Sequence, residues 1–170
     1  AFVREITRFI SLVKRYGTPS SVIYFDLDDF KAINDRYGHA GGDAALRHFA
    51  ELLGSQIRDT DILARLGGDE FGIILAHVGA EQARKKAASL SETLRRRPPI
   101  WEGQTIDLKF SCGAYELIAD ETADAAIARS PWLSQGKGRA FHAVAGTWRA
   151  VAKLHMHARN HPLRVTHRHS

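Results

Sequence analysis

The chain has one cysteine and one methionine in 170 residues. A single thiol excludes an internal disulfide and suits a reducing compartment. Cys112 falls in an apolar, strand-like run and is expected to be a buried bystander. No apolar run approaches the roughly 20 residues that cross a bilayer, and no leader-like segment is read at the start, which falls inside a helical pattern. A cytosolic location is expected. Acidic residues stop at Asp124: residues 125–170 hold eight Lys or Arg and no acid, which leaves 16 basic against 19 acidic residues in 1–124. The net charge of +5 therefore belongs to the tail and argues poorly for a nucleic-acid partner, so none is expected. The tail also holds six of nine histidines and two of three tryptophans, which places a composition boundary near residue 130.

The body alternates between helix and strand patterns. Phe2, Ile6, Phe9, Ile10 and Val13 recur at helical spacing over residues 1–16. Residues 21–27 form a β-rich run leading into Asp28-Asp29. Residues 30–37 read as a helix stopped by Gly38, and residues 43–57 as a second helix. Residues 61–66 and 71–77 read as two strands of a hairpin, residues 81–96 as a charged helix ended by Pro98-Pro99, residues 106–117 as a strand, and residues 122–129 as a helix start. This order predicts an α/β sandwich with helices packed on a central sheet.

The most informative stretch is Arg65-Leu66-Gly67-Gly68-Asp69-Glu70-Phe71. Two apolar runs flank it, so it reads as a tight hairpin turn carrying acids. The glycines are expected to supply positive φ and to leave room for a ligand. The adjacent carboxylates suit a hard divalent cation, Mg²⁺ or Mn²⁺. A second acid cluster, Asp26, Asp28 and Asp29, lies upstream. If the two strands are neighbours, Asp26 and Asp69 converge at one sheet edge. The bland alternatives are that Asp26 and Asp28 cap the next helix, and that Asp43 caps its own.

Several spaced motifs agree in order and interval: Phe25-Asp26-Leu27-Asp28-Asp29-Phe30-Lys31, Asn34-Asp35, Gly38-His39, Gly42-Asp43, and the run from Gly67 to Phe71. Together they resemble the GGDEF domain of diguanylate cyclases over roughly residues 1–129, with a trace at Gly138-Arg139. The resemblance implies a polymerase-palm-like fold with a mainly antiparallel sheet, and condensation of two GTP into cyclic di-GMP with release of pyrophosphate. It implies that Asp26, Asp69 and the Leu27 carbonyl hold the metal, while Glu70 is a further ligand or helps deprotonate the attacking hydroxyl. It implies that Asn34 and Asp43 read guanine, and that Lys31, Gly67, Gly68 and Arg139 meet the rest of the nucleotide. A homodimer of two such domains, each holding one GTP, and an upstream sensory domain follow from the same likeness.

Arg58-Asp59-Thr60-Asp61 is an R-x-x-D separated by five residues from Gly67. At that offset it resembles the family's product-inhibition site, with Arg58 on a phosphate or guanine face and Asp61 on a guanine edge. The family pattern breaks after Arg129. Aligning Gly138-Arg139 puts Gln135 where a phosphate-binding lysine is expected, and Pro131 falls where a helix interior is expected. Residues 1–140 are expected to form the domain, and residues 141–170 a flexible, basic, His-rich tail. The intact motifs favour an active cyclase; the altered region after residue 129 favours a silent module that senses GTP or cyclic di-GMP.

Overall fold

The structure is a computed structural model that describes residues 1–128 and the backbone of 156–157. Arg139, Gln135, Lys137 and the remaining tail positions lie outside the described residues. Helix α1 (Phe2–Tyr16) is followed by β1 (Ser20–Leu27), α2 (Phe30–Ser55), β2 (Ile62–Gly67), β3 (Glu70–Ala76) and α3 (Ala80–Arg96). A small hairpin, β4 (Ile100–Trp101) and β5 (Gln104–Thr105), precedes β6 (Phe110–Glu116), α4 (Ala123–Ala128) and a two-residue strand β7 (Met156–His157). The main sheet has the order β6-β1-β3-β2-β7 and its pairs are antiparallel. The antiparallel sheet flanked by helices is the mixed, palm-like fold expected.

Helices cover both faces of this sheet, which explains why β3 is buried along its whole length and reads as a continuous apolar run. Ile23, Phe25 and Leu27 point toward α2 and α3, where Phe49 packs edge-on against Phe25 and Phe71. Val22 and Tyr24 point the other way, toward Phe2, Ile6 and Phe9 of α1 and Ala126 and Ile127 of α4. Gly72 leaves the space that Phe2 fills, since a Cβ there would stand 2.6 Å from the Phe2 ring. Helix α1 ends at Gly17 (φ 65°), whose N–H donates to Val13 O. Helix α3 starts where the Glu116 carboxylate accepts from the Ala80 N–H at 2.9 Å.

Three details differ from the sequence reading. The two helices expected at 30–37 and 43–57 are present and separate at Gly38 (φ 73°, ψ 170°), a conformation open essentially to glycine alone; they abut so closely that they run on as one kinked element, α2, and the second begins earlier than residue 43. The strand expected from residue 106 enters the ladder only at Phe110; residues before it make local contacts, such as Leu108 N–H to Ile106 O. Cys112 is exposed, on β6, which is an edge strand among the described residues. Partial burial of its sulfur, and after it the charge of Asp28, push the thiol pKa up.

Candidate active site

Strand register brings the acids together. Asp26, near the end of β1, is the direct partner of Glu70, the first residue of β3. Partners in register project to the same face, and here that is the face shared with Val22 and Tyr24, at the rim of the sheet. The turn is tied to β1 as well: the Leu27 N–H donates to the Asp69 carbonyl at 3.1 Å. Glu70 is buried, and its pKa is raised to about 7, first by burial and then by the charges of Asp26 and Asp69. Three carboxylates from two distant segments thus share one electrostatic neighbourhood.

The hairpin turn is Gly68-Asp69, with a register shift between Arg65 and Gly67 that bulges the strand at Leu66. Neither Gly67 nor Gly68 has positive φ, contrary to expectation. What glycine supplies is open space: a Cβ at Gly68 would meet nothing within 4 Å, and at Gly67 only Glu70 Oε2 at 3.5 Å. Arg65, absent from the expected site residues, holds the turn. Its Nε and Nη2 donate to the Gly68 carbonyl at 3.0 and 2.6 Å. Its half-buried guanidinium has its pKa lowered by burial, an effect opposed by the charges of Asp43 and Asp69. Its place at the head of the Gly-Gly-Asp run was the only sequence signal.

Capping does not explain the upstream acids. The N-cap of α2 is Asp29, at φ 50°, and its side chain makes no cap hydrogen bond. The Asp28 carboxylate accepts from Ser111 Oγ at 2.7 Å. Asp43 lies inside α2 and cannot be an N-cap. It is exposed, just beyond the Gly38 kink, and Arg65 stands between it and Asp69 electrostatically. Asn34 is half-buried on the other side of that kink, and Lys31 is exposed in the first turn of α2.

The R-x-x-D segment has a structural role in this fold. Asp61 is buried; its Oδ2 accepts from the Arg58 N–H at 2.9 Å and its Oδ1 from the Ala76 N–H at 3.0 Å. The Arg58 side chain is exposed.

A hard cation fits the donor chemistry at the rim, where Glu70 interacts with the charges of Asp26 and Asp69 and is pushed toward protonation first by burial and then by those charges. Among the described residues, no three His, Cys, Asp or Glu side chains form a ready-made cage.

This palm-like α+β fold is shared with known domains. The family described as "Diguanylate cyclase, GGDEF domain" matches residues 1–130. The probable diguanylate cyclase DgcE of Escherichia coli is 39% identical over 126 residues, which is 74% of this chain and 11% of DgcE. The solved GGDEF domain of TpbB (YfiN) from Pseudomonas aeruginosa superposes with a TM-score of 0.73 at 30% identity, covering 81% of each chain. The GGDEF domain of DgcB from Caulobacter crescentus, solved in complex with c-di-GMP, gives 0.72 at 26% identity, covering 82% of this chain and 85% of that one. The chain belongs to the GGDEF diguanylate cyclase family. It spans between 11% and 30% of the length of the first curated relatives it matches. Among the described residues, no helix is long and apolar enough to cross a membrane.

Proposed function

We propose that this domain condenses two GTP into cyclic di-GMP, one GTP on each of two chains placed face to face. The observation that carries this reading is the Asp26–Glu70 register pair, with Asp69 tied to Leu27 beside it. Asp26, Asp69 and the Leu27 carbonyl hold Mg²⁺ or Mn²⁺, and Glu70 is either a further ligand or the group that takes the proton of the attacking 3′-hydroxyl. Bound there, the cation neutralises charge developing on the α-phosphate and the pyrophosphate. The raised pKa of Glu70 suits proton acceptance near neutral pH. Gly67 and Gly68 leave the turn open to phosphate, and Lys31 with the first amides of α2 adds positive potential. Asp43 accepts from guanine N1–H and the exocyclic amine, and Asn34 addresses the purine edge, so adenine leaves these polar groups unpaired. Incubation of the chain with GTP and Mg²⁺, with cyclic di-GMP as the product assayed, tests the reading.

A second reading is favoured by Gln135 standing where a lysine is expected. In it the domain binds GTP without turnover, or senses cyclic di-GMP through Arg58 and Asp61. GTP binding with no product at high protein concentration selects this alternative. In an active enzyme, the same Arg58 gives product feedback. The structural duty of Asp61 leaves its remaining lone pairs for the guanine edge, so Arg58 is the cleaner site to test.

A further inference from the structure

The kink at Gly38 folds the first turns of α2 back so that Asn34 lies directly over Gly42. A Cβ built on Gly42 would stand 1.9 Å from Asn34 Oδ1, 3.0 Å from its Cγ and 3.2 Å from Phe30 Cζ. At the first of these contacts something must shift, and the atom met is the far end of the Asn34 side chain. Gly41 is under similar pressure: its Cβ would stand 2.5 Å from Tyr37 Cβ and 3.3 Å from the Trp101 ring. Two successive glycines inside a helix are otherwise unfavourable, since alanine is the better helix former at each position. Neither Gly41 nor Gly42 has a positive φ that would call for glycine. Space is therefore the reason for Gly42, and the atom that takes the space is the amide oxygen of Asn34.

We infer that Gly42 sets nucleobase specificity as a positioning residue: by lacking a side chain it seats the Asn34 amide against α2, next to Asp43. The two base-reading groups then sit at a fixed offset, one laid over the helix backbone and the other projecting from the adjacent position. Any side chain at 42 lifts the Asn34 amide away from the helix while leaving Asp43 on its own backbone. The inference rests on the reading of Asn34 and Asp43 as guanine contacts and names the element that holds their geometry. A role in helix packing alone predicts lost stability with unchanged base preference.

The test uses guanosine 5′-[α,β-methylene]triphosphate and its adenosine counterpart, which cannot be cleaved at the reacting bond, with Mg²⁺ and calorimetric titration. Four proteins are compared: wild type, Gly42→Ala, Asn34→Ala and the double variant. Gly42→Ala is expected to weaken the guanine analogue roughly five- to tenfold, the loss of about one hydrogen bond, with no change for the adenine analogue. The double variant is expected to match Asn34→Ala alone, because the side chain that the new Cβ strikes is gone. Equal weakening of both analogues, or additive losses in the double variant, overturns the inference. If wild type binds neither analogue, the guanosine reading itself falls and takes this inference with it. If wild type prefers guanine and Gly42→Ala keeps that preference, only the inference falls. Should Gly42→Ala fold poorly, adding Asn34→Ala is expected to restore its Tm to that of the Asn34→Ala protein. Failure to restore it means that Asn34 is not the obstructed group, which overturns the inference too.

Discussion

Asp26 and Glu70 stand opposite each other on β1 and β3, with Asp69 in the turn that follows the last register pair. Without a cation, the burial of Glu70 and, after it, the charges of Asp26 and Asp69 oppose folding at neutral pH. The carboxyl of Glu70 has its pKa raised from 4.5 to about 7. An acid with a raised pKa favours the folded state in its protonated form, so this contribution is fully present below pH 4.5 and is lost as pH rises through about 7. The difference corresponds to about 3 kcal/mol. In urea unfolding with EDTA present, wild type is expected to lose about that much stability between pH 4.5 and 8 relative to Glu70→Gln. Parallel pH profiles for the two proteins would show that folding does not raise the pKa of Glu70.

Asp69→Ala should separate the turn's structure from its chemistry. The bond that ties the turn to β1 uses the Asp69 backbone carbonyl, which alanine keeps. The variant is expected to retain the wild-type Tm within a degree or two and to lose turnover by at least about a hundredfold, as expected when one charged group of a metal site is removed. Wild-type production of cyclic di-GMP by Asp69→Ala would remove Asp69 from the metal site.

Much of this arrangement was legible because it is local or strongly patterned. Helix α1 shows its apolar face in Phe2, Ile6, Phe9 and Ile10, and the hairpin shows in Gly67-Gly68 between two apolar runs. The adjacency of β1 and β3 was only conditional in the sequence, since non-local pairing leaves no periodic trace. The β4–β5 hairpin was missed. Its turn, Glu102-Gly103, has positive φ at both residues (47° and 75°), and X-Gly with a non-Asx first residue is a weak turn signal. Arg65 was passed over because a carbonyl acceptor three residues ahead cannot be read from side-chain chemistry. The structural duty of Asp61 leaves no trace in the sequence, because its partners, the Arg58 and Ala76 N–H groups, are backbone.

Arg58 and Asp61 are expected to part company on mutation. Asp61→Ala leaves the buried Ala76 N–H without its acceptor and frees the Arg58 N–H, at a cost of about 2–4 kcal/mol. Arg58→Ala removes an exposed side chain and should change stability by less than about 0.5 kcal/mol, while weakening cyclic di-GMP binding and relieving product inhibition. Urea midpoints check the first pair of expectations and progress curves the second. Product inhibition of Arg58→Ala equal to wild type would place the inhibitory site elsewhere, and an unchanged midpoint for Asp61→Ala would contradict its buried hydrogen bonds.

Arg65 offers the sharpest test of whether turn rigidity matters to catalysis. Its fork donates twice to the Gly68 carbonyl while its charge lies near both Asp43 and Asp69. A lysine keeps the charge but has no planar fork. If geometry is what counts, Arg65→Lys and Arg65→Ala should both lower kcat/KM for GTP, by roughly tenfold for the loss of about 1.4 kcal/mol of positioning. If charge is what counts, Arg65→Lys should recover most of the activity that Arg65→Ala loses. Both variants should keep Tm close to wild type, because the bonds they remove are solvent-exposed. Full wild-type kinetics in Arg65→Ala would mean that the turn needs no clamp, and that the bulge at Leu66 and the Leu27–Asp69 bond position the acids unaided.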